Sequence, residues 1–302
     1  MHVFVTGGSG QTGPAVVTEL IAAGHTVTGL ARSDAAADRL KSLGATPHRG
    51  SLDDLAGLRS GAEAADGVLH MAYGGDFSDL DDMMRRDTNA IEALGRTLEH
   101  SGRPLVTTSG TLVMPADRES TEKDEPDTAG IAAFRIAGER ACLDFADRGV
   151  RASVVRLAPT VHGPRDHGFI PMLIATARET GVSAYVKDGA NRWPAVHRLD
   201  AAVLFRLAVE KAPAGSVLHG AAENVTFKSI AETIARGLDL PTASLTPHEA
   251  AGHYANPFMA TAYGFDGPVS SAHTQKLLGW TPTRPTLLED VEHGDYLATP
   301  AS

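Results

Sequence analysis

The chain holds a single cysteine, Cys142, among 302 residues. No intramolecular disulfide can form. That pattern belongs to a reducing compartment, and a cytoplasmic location is expected. No stretch approaches the ~18 uninterrupted apolar residues that a membrane-spanning helix needs. The N-terminus lacks the charged-then-apolar run of a secretory signal. Basic charge is in deficit: 27 Lys and Arg face 37 Asp and Glu, a net charge of −10. With no polybasic block and no basic amphipathic helix, a general phosphate-backbone binder is excluded, and neither nucleic acid nor membrane is expected as a partner. Thirteen histidines are present, yet no pair has a spacing such as His-Glu-x-x-His, so no metal site is expected. The Gly-x-Ser-x-Gly elbow of a hydrolase is also missing, because Thr107 stands at its first glycine position around Ser109. Internal repeats, low-complexity segments and evident linkers are absent.

What is present is an ordinary globular composition, 42% hydrophobic and 21% charged, long enough for one large or two modest domains. Short apolar runs alternate with amphipathic stretches. Strands are predicted at residues 2–6, 26–30, 45–48, 67–71, 104–108 and 152–157. Helices are predicted over 12–23, 34–43, 53–59, 80–99 and 129–147, with Pro14 in the first turn of the first one, where its missing N–H costs nothing. Alternation of this kind implies parallel pairing with right-handed crossovers, an α/β fold with a doubly wound parallel sheet. After Leu157 the rhythm breaks. Helices are predicted over 169–180, 227–238 and 271–278, a strand-then-helix piece over 196–210 and a strand at 217–219, while 241–268 reads as irregular. The expected organisation is a dinucleotide-binding domain over 1–165, joined by a further strand and helix from 192–232. A smaller substrate lobe is expected from 166–191 and 233–302. The acidic run Asp76 to Asp87 reads as a solvated face and helix N-terminus, and Asn191-Arg192-Trp193 as lying near the substrate lobe.

The strongest local signal is Thr6-Gly7-Gly8-Ser9-Gly10-Gln11-Thr12-Gly13, between a strand and a helix. Gly7, Gly10 and Gly13, three apart, permit a tight turn, close approach of backbone to a pyrophosphate, and close packing of helix on strand. The helix N-terminus offers unpaired N–H groups and partial positive charge to phosphates. At the end of the second strand an NAD site usually places an acid that accepts from the ribose 2′-hydroxyl. Here the residues are Arg32 and Ser33, with Asp34 read as the cap of the next helix. A guanidinium clamps a 2′-phosphate through parallel hydrogen bonds, so NADP(H) is the expected cofactor, with NAD(H) the alternative.

These residues resemble the short-chain dehydrogenase/reductase superfamily, and more narrowly its extended branch, the NAD-dependent epimerase/dehydratase family. The resemblance implies a Rossmann domain and a set of roles. The turn residues Thr6, Gly7, Gly10, Gln11, Thr12 and Gly13 would hold the cofactor. Ser51 and Leu52, in a segment like the family's Gly-Asp-Leu, would meet adenine, with Ser51 in place of the usual Asp. Met71 and Ala72, from a segment like His-x-Ala, would line the cofactor with their backbone. Thr107-Thr108-Ser109 resembles the fifth-strand segment that carries the catalytic serine, which maps to Ser109. The run Arg156 to Pro164 resembles Arg-x-x-x-Val-Tyr-Gly-Pro, which borders nicotinamide and substrate; Ala158 and Thr160 join the cofactor set with Thr107. Related folds dimerise through helices at 80–99 and 129–147, so a homodimer is an expectation.

The family's Tyr-x-x-x-Lys pair has no counterpart. Counting 25 residues from Ser109 reaches Phe134, and registering on Glu139 places Ile131 and Arg135 at the two positions. None of the five tyrosines stands there. Arg135 can bind ribose and lend charge but cannot shuttle protons near neutral pH. Candidates for the missing acid are Tyr73, His162 and His167; His197 reads as structural. The expected activity is an NADP(H)-dependent oxidoreductase acting on a small organic carbonyl, alcohol or imine. Two alternatives stay open: a non-catalytic NADP(H)-binding redox sensor, and an epimerase, dehydratase or lyase without net redox change.

Overall fold

Val3, Phe4 and Val5 have no exposed surface at all, as an apolar strand covered on both faces requires. In the computed structural model, which describes residues 1–74 and 79–298, that strand is the centre of the fold. The first half runs β1 (His2–Thr6), α1 (Gly13–Ala22), β2 (Thr26–Ala31), α2 (Asp34–Ser42), β3 (Thr46–Arg49), α3 (Leu55–Glu63), β4 (Gly67–His70), α4 (Leu80–Leu98), β5 (Pro104–Gly110), α5 (Ile136–Leu143) and β6 (Arg151–Leu157). The second half runs β7 (Thr160–His162), α6 (Phe169–Thr180), β8 (Ser183–Val186), β9 (Arg192–His197), α7 (Arg198–Lys211), β10 (Ser216–Gly220), β11 (Glu223–Thr226) and α8 (Phe227–Leu238). It ends with β12 (Thr242–Leu245), α9 (Pro247–His253), α10 (Pro257–Tyr263), α11 (Ala272–Leu278) and α12 (Leu287–His293).

Seven strands form one sheet in the order β10-β6-β5-β4-β1-β2-β3, every neighbouring pair parallel. The order reverses between β1 and β4. This switch point is where ligands bind in open α/β sheets, because two crossovers leave in opposite directions and open a crevice at the strand C-termini. Helix α7 packs beside α1 and against β4 and β5, while α3, α4 and α5 pack side by side. The remaining strands make the three-stranded β11-β9-β7 and the pair β12-β8. Around them an aromatic core gathers Trp193, Phe227 and Tyr263, with Phe169 edge-on to Trp193 at 5.3 Å. Each such ring, fully buried, contributes roughly 1.5–3 kcal/mol. Among the described residues no helix is long and apolar enough to cross a membrane.

Several expectations are corrected. The helix predicted over 129–147 is a 3₁₀ turn at Ala133–Arg135, the short α5, and a second 3₁₀ turn at Ala146–Arg148. The cap of α2 is Ser33, whose Oγ accepts from the Ala36 N–H at 3.2 Å; Asp34 is the first helical residue and pairs with Arg49. The segment 241–268 is not irregular, for it carries β12, α9 with its Thr246–Glu249 capping box, and α10 capped by Asn256. Strands β7, β8 and β11 and helix α12 were not predicted. The acidic run begins at Asp76, outside the described residues; from Asp79 on it caps and opens α4, as expected.

Candidate active site

The glycine turn lies at the switch point, and its glycines do different work. Gly7 has φ +75°, and a Cβ there would meet the Ala72 nitrogen at 2.7 Å. At Gly13 a Cβ would lie 2.1 Å from the Gly7 carbonyl oxygen. Both are required by the protein's own packing. Gly10 is not: a Cβ there would meet only the Gly7 oxygen, at 3.2 Å, and otherwise would project into the open cleft. Thr12 provides no side-chain cap for α1; Pro14 has no N–H and the Ala15 N–H goes to the Thr12 carbonyl at 3.1 Å, so the Gly13 N–H is the first-turn amide left for an anion.

A cleft of about 690 Å³ opens from this turn. Of the predicted residues, Gly7, Gly10, Gln11, Thr12 and Gly13 line it from the turn, Arg32 from the end of β2, Ser51 and Leu52 from the end of β3, and Met71, Ala72 and Tyr73 from the end of β4. Sequence reading missed Arg86, which joins Arg32 in the lining while held by Asp53 through bonds of 2.8 and 2.6 Å. It also missed Thr108 and Leu157. Other predicted residues lie behind the lining. Thr6 is wholly buried, its hydroxyl engaged by His70 Nδ1 at 2.9 Å and the Ala72 N–H at 3.2 Å; His70 Nε2 in turn meets Asp87 at 3.1 Å. Thr107, Ala158 and Thr160 are buried, and Ser33 is spent on its helix cap.

Tyr73, which lines the cleft, stacks on Phe134 behind the lining, with ring centroids 6.4 Å apart and planes 25° from parallel. The Arg135 guanidinium lies over the Tyr73 ring, 3.3 Å from its centroid, and donates to the Thr108 carbonyl. The hydroxyls of Tyr73, Thr108 and Ser109 are all buried and none has a hydrogen-bond partner. Buried polar groups are almost always paired. Thr108 and Ser109 are consecutive in β5 and so face opposite sides of the sheet; Thr108 lines the cleft with Tyr73, and their two orphaned hydroxyls mark a place where a ligand completes the bonding. Burial pushes the Tyr73 phenol up; Arg135 pulls it back, and Asp87 adds to the rise. Ser109 itself is 5% exposed. It sits in register with Arg156 and His219 and so shares their face of the sheet. Arg156 holds Glu139 of α5 through contacts of 2.8 and 3.1 Å, both groups buried. That pair fixes the segment carrying Phe134 and Arg135, and breaking it by removing one partner would cost about 3–5 kcal/mol.

The two candidate histidines lie outside the cleft lining. His162 is 1% exposed and lies away from the cleft lining, its Nδ1 2.6 Å from Asp290 Oδ2 and its ring edge-on to His197. Burial pushes its imidazole down to about 4, so at neutral pH it is an uncharged donor that ties β7 to α12. His167 is exposed on its loop and does not line the cleft. Its neighbour Asp166 is the engaged residue: it accepts from Gln11 Nε2 at 2.5 Å, the Gly168 N–H at 2.7 Å and the Tyr296 hydroxyl at 2.8 Å. Asn191, Arg192 and Trp193 serve lobe packing, through Tyr263 and Phe265 carbonyls, Asp266, and the Ala262 carbonyl. His197 caps α7 as expected of a structural residue.

The residues present suit a dinucleotide: a glycine turn with one glycine the protein's own packing does not require, cations toward one end, and orphaned hydroxyls at the other. A doubly wound parallel sheet with such a cleft at its switch point defines a Rossmann-like α/β protein. The chain belongs to the NAD dependent epimerase/dehydratase family, whose model matches residues 3–219. It is 45% identical over 298 residues to an uncharacterised protein of Schizosaccharomyces pombe, covering 98% of this chain and 100% of that one. It is 29% identical over 226 residues to the 4-hydroxy-2-methyl-3-oxo-4-farnesyl-3,4-dihydroquinoline-1-oxide ketoreductase of Stigmatella aurantiaca, 72% of this chain and 67% of that one. Among solved structures, a dTDP-glucose 4,6-dehydratase of Streptomyces venezuelae with NAD bound has the same fold, with a TM-score of 0.79 at 16% identity over 98% of this chain and 96% of that one. Folds of this extended branch of the short-chain dehydrogenase/reductase superfamily agree with the sheet described above.

Proposed function

We propose that this protein is an NADP(H)-dependent reductase of a small organic carbonyl, with Tyr73 as its proton donor. The observation that carries the reading is the Tyr73 phenol, buried and unpaired under the Arg135 cation. A phenol raised by burial stays protonated at neutral pH and so can donate. Once it has donated, the guanidinium over its ring stabilises the phenolate. Thr108, whose orphaned hydroxyl lines the same cleft as Tyr73, polarises the carbonyl oxygen. The turn residues and the Gly13 amide hold the diphosphate, Ser51 and Leu52 the adenine, and Arg32 the 2′-phosphate, where no acid stands to repel it. The bound dinucleotide supplies the hydride. The ketoreductase named above also favours net reduction over a redox-neutral reaction.

The test follows NADPH absorbance with a panel of carbonyl compounds. Tyr73→Phe should lower kcat by ~10²-fold or more, the contribution of a positioned proton donor, while leaving NADPH binding intact. Unchanged kcat would overturn the role of Tyr73. Tight NADPH binding with no turnover on the whole panel would point to a redox sensor, and product without NADPH consumption to an epimerase, dehydratase or lyase.

A further inference from the structure

We infer that the substrate is an oxo acid, its carboxylate held by Arg135 while its carbonyl oxygen meets the orphaned hydroxyls of Tyr73 and Thr108; this rests on the reductase reading above. Arg135 is half-buried. Arg198 is underused, donating to the Gly163 carbonyl with its Nε buried and unpaired, but it lies outside the cleft lining; the other sheltered arginines are satisfied internally. Arg156 pairs with Glu139, Arg206 with Glu19 and Glu210, and Arg86 with Asp53. Arg103 and Arg151 each spread their guanidinium over two or more backbone carbonyls. Arg135 donates to a single acceptor, the Thr108 carbonyl, and among the described residues no carboxylate lies within 4 Å of it. A guanidinium has five N–H donors in a planar fork, so most of this one is open.

Its orientation is nevertheless fixed. One Nη2 bond anchors it, and the Tyr73 face supports it from below at 3.3 Å. With its Cζ over the ring and one N–H engaged, the guanidinium has further N–H donors for a carboxylate, which engages such a fork bidentately. In a chain of net charge −10, an anionic substrate needs such a local cation to enter. Guanidinium and phenol belong to one stack, so the two recognised groups of the substrate are close together. That spacing suits a 2-oxo or 3-oxo acid, and the rings and Leu157 suit a short aliphatic remainder.

The experiment compares acetoacetate and pyruvate with their methyl esters, each with saturating NADPH. The expected result is a kcat/KM for the acids exceeding that of the esters by roughly 10- to 100-fold, the range of a hydrogen-bonded charge pair. Arg135→Met should lower kcat for acids and esters together, because the cation over Tyr73 is lost, and in addition bring the acid-to-ester ratio of kcat/KM close to one; an unchanged melting temperature and NADPH affinity show that the variant is folded and loaded. Arg135→Lys, which keeps the charge but not the fork, should fall between. Esters reduced as well as acids, or Arg135→Met leaving the acid-to-ester ratio unchanged, would overturn the assignment while leaving the reductase reading standing. NADPH binding with no consumption on either kind of carbonyl would overturn both.

Discussion

Gly10→Ala separates what the fold needs from what a ligand needs. A methyl at this position meets one protein atom, the Gly7 oxygen at 3.2 Å, a contact that a shift of a few tenths of an ångström relieves. Glycine-to-alanine changes at compatible positions also gain ~0.4–1 kcal/mol by restricting the unfolded chain. The two effects oppose each other, and the melting temperature should move by no more than about 2–4 °C, the response to ~1 kcal/mol in a domain of this size. In the complex proposed above the same methyl would occupy the seat of the diphosphate. Displacing one amide–phosphate hydrogen bond costs about 1.5–3 kcal/mol, or 10- to 150-fold in affinity. Gly13→Ala is the contrasting control. Its methyl would lie 2.1 Å from a backbone oxygen, with no flexible neighbour to give way, and it should fail to fold or melt far lower. The measurements are thermal denaturation followed by circular dichroism and calorimetric titration with NADPH and NADH. A Gly10→Ala protein that melts normally and binds both coenzymes with unchanged affinity would refute the placement of the diphosphate on this turn.

Arg32→Ala should weaken NADPH by roughly 10- to 100-fold and NADH by less than about threefold, as read by titration; equal losses would remove the 2′-phosphate clamp. Because burial lowers His162 to about 4 from an ordinary 6.5, the unfolded chain takes up a proton that the folded one refuses. Stability is therefore full above pH 6.5 and declines as pH falls toward 4, by at most ~3 kcal/mol for this group. Urea denaturation at pH 7.5 and pH 5 should show the decline, and His162→Asn should lessen it; an undiminished slope in the variant would refute the assignment. Cys142 has no exposed surface, and burial pushes its thiol up to about 12, so a thiol-labelling reagent should modify it only as fast as the protein opens.

The parts of the fold legible in the sequence are those governed by local rules. The apolar runs of β1, β4, β5 and β6 and the glycine-ended helices α1 and α2 give their positions, and with them the switch point. The end of α5 and the small lobe resist such reading. The region around Phe134 is shaped by the stack of Tyr73, Phe134 and Arg135 and by the buried Arg156–Glu139 pair, both long-range. Strands β7, β8 and β11 are three or four residues long, too short for a period of two to stand out. The same division runs through the site. The phosphate turn was visible because glycine spacing is local. Arg86 was not, since its place in the cleft comes from Asp53, 33 positions away. The contacts around His162 and His167 are not legible either, because nothing nearby in sequence announces Asp290 or Tyr296.

Asp166 joins parts of the chain that would otherwise be strangers. Its one carboxylate is shared between Gln11 of the phosphate turn and Tyr296, 130 residues further along. Should an incoming phosphate draw the Gln11 amide to itself, that carboxylate gives up one of its three donors, and its grip on the tail changes in the same instant. The last turns of the protein thus feel events at the first helix directly, and amide exchange around residues 294–298 makes a remote gauge of whether the turn is filled.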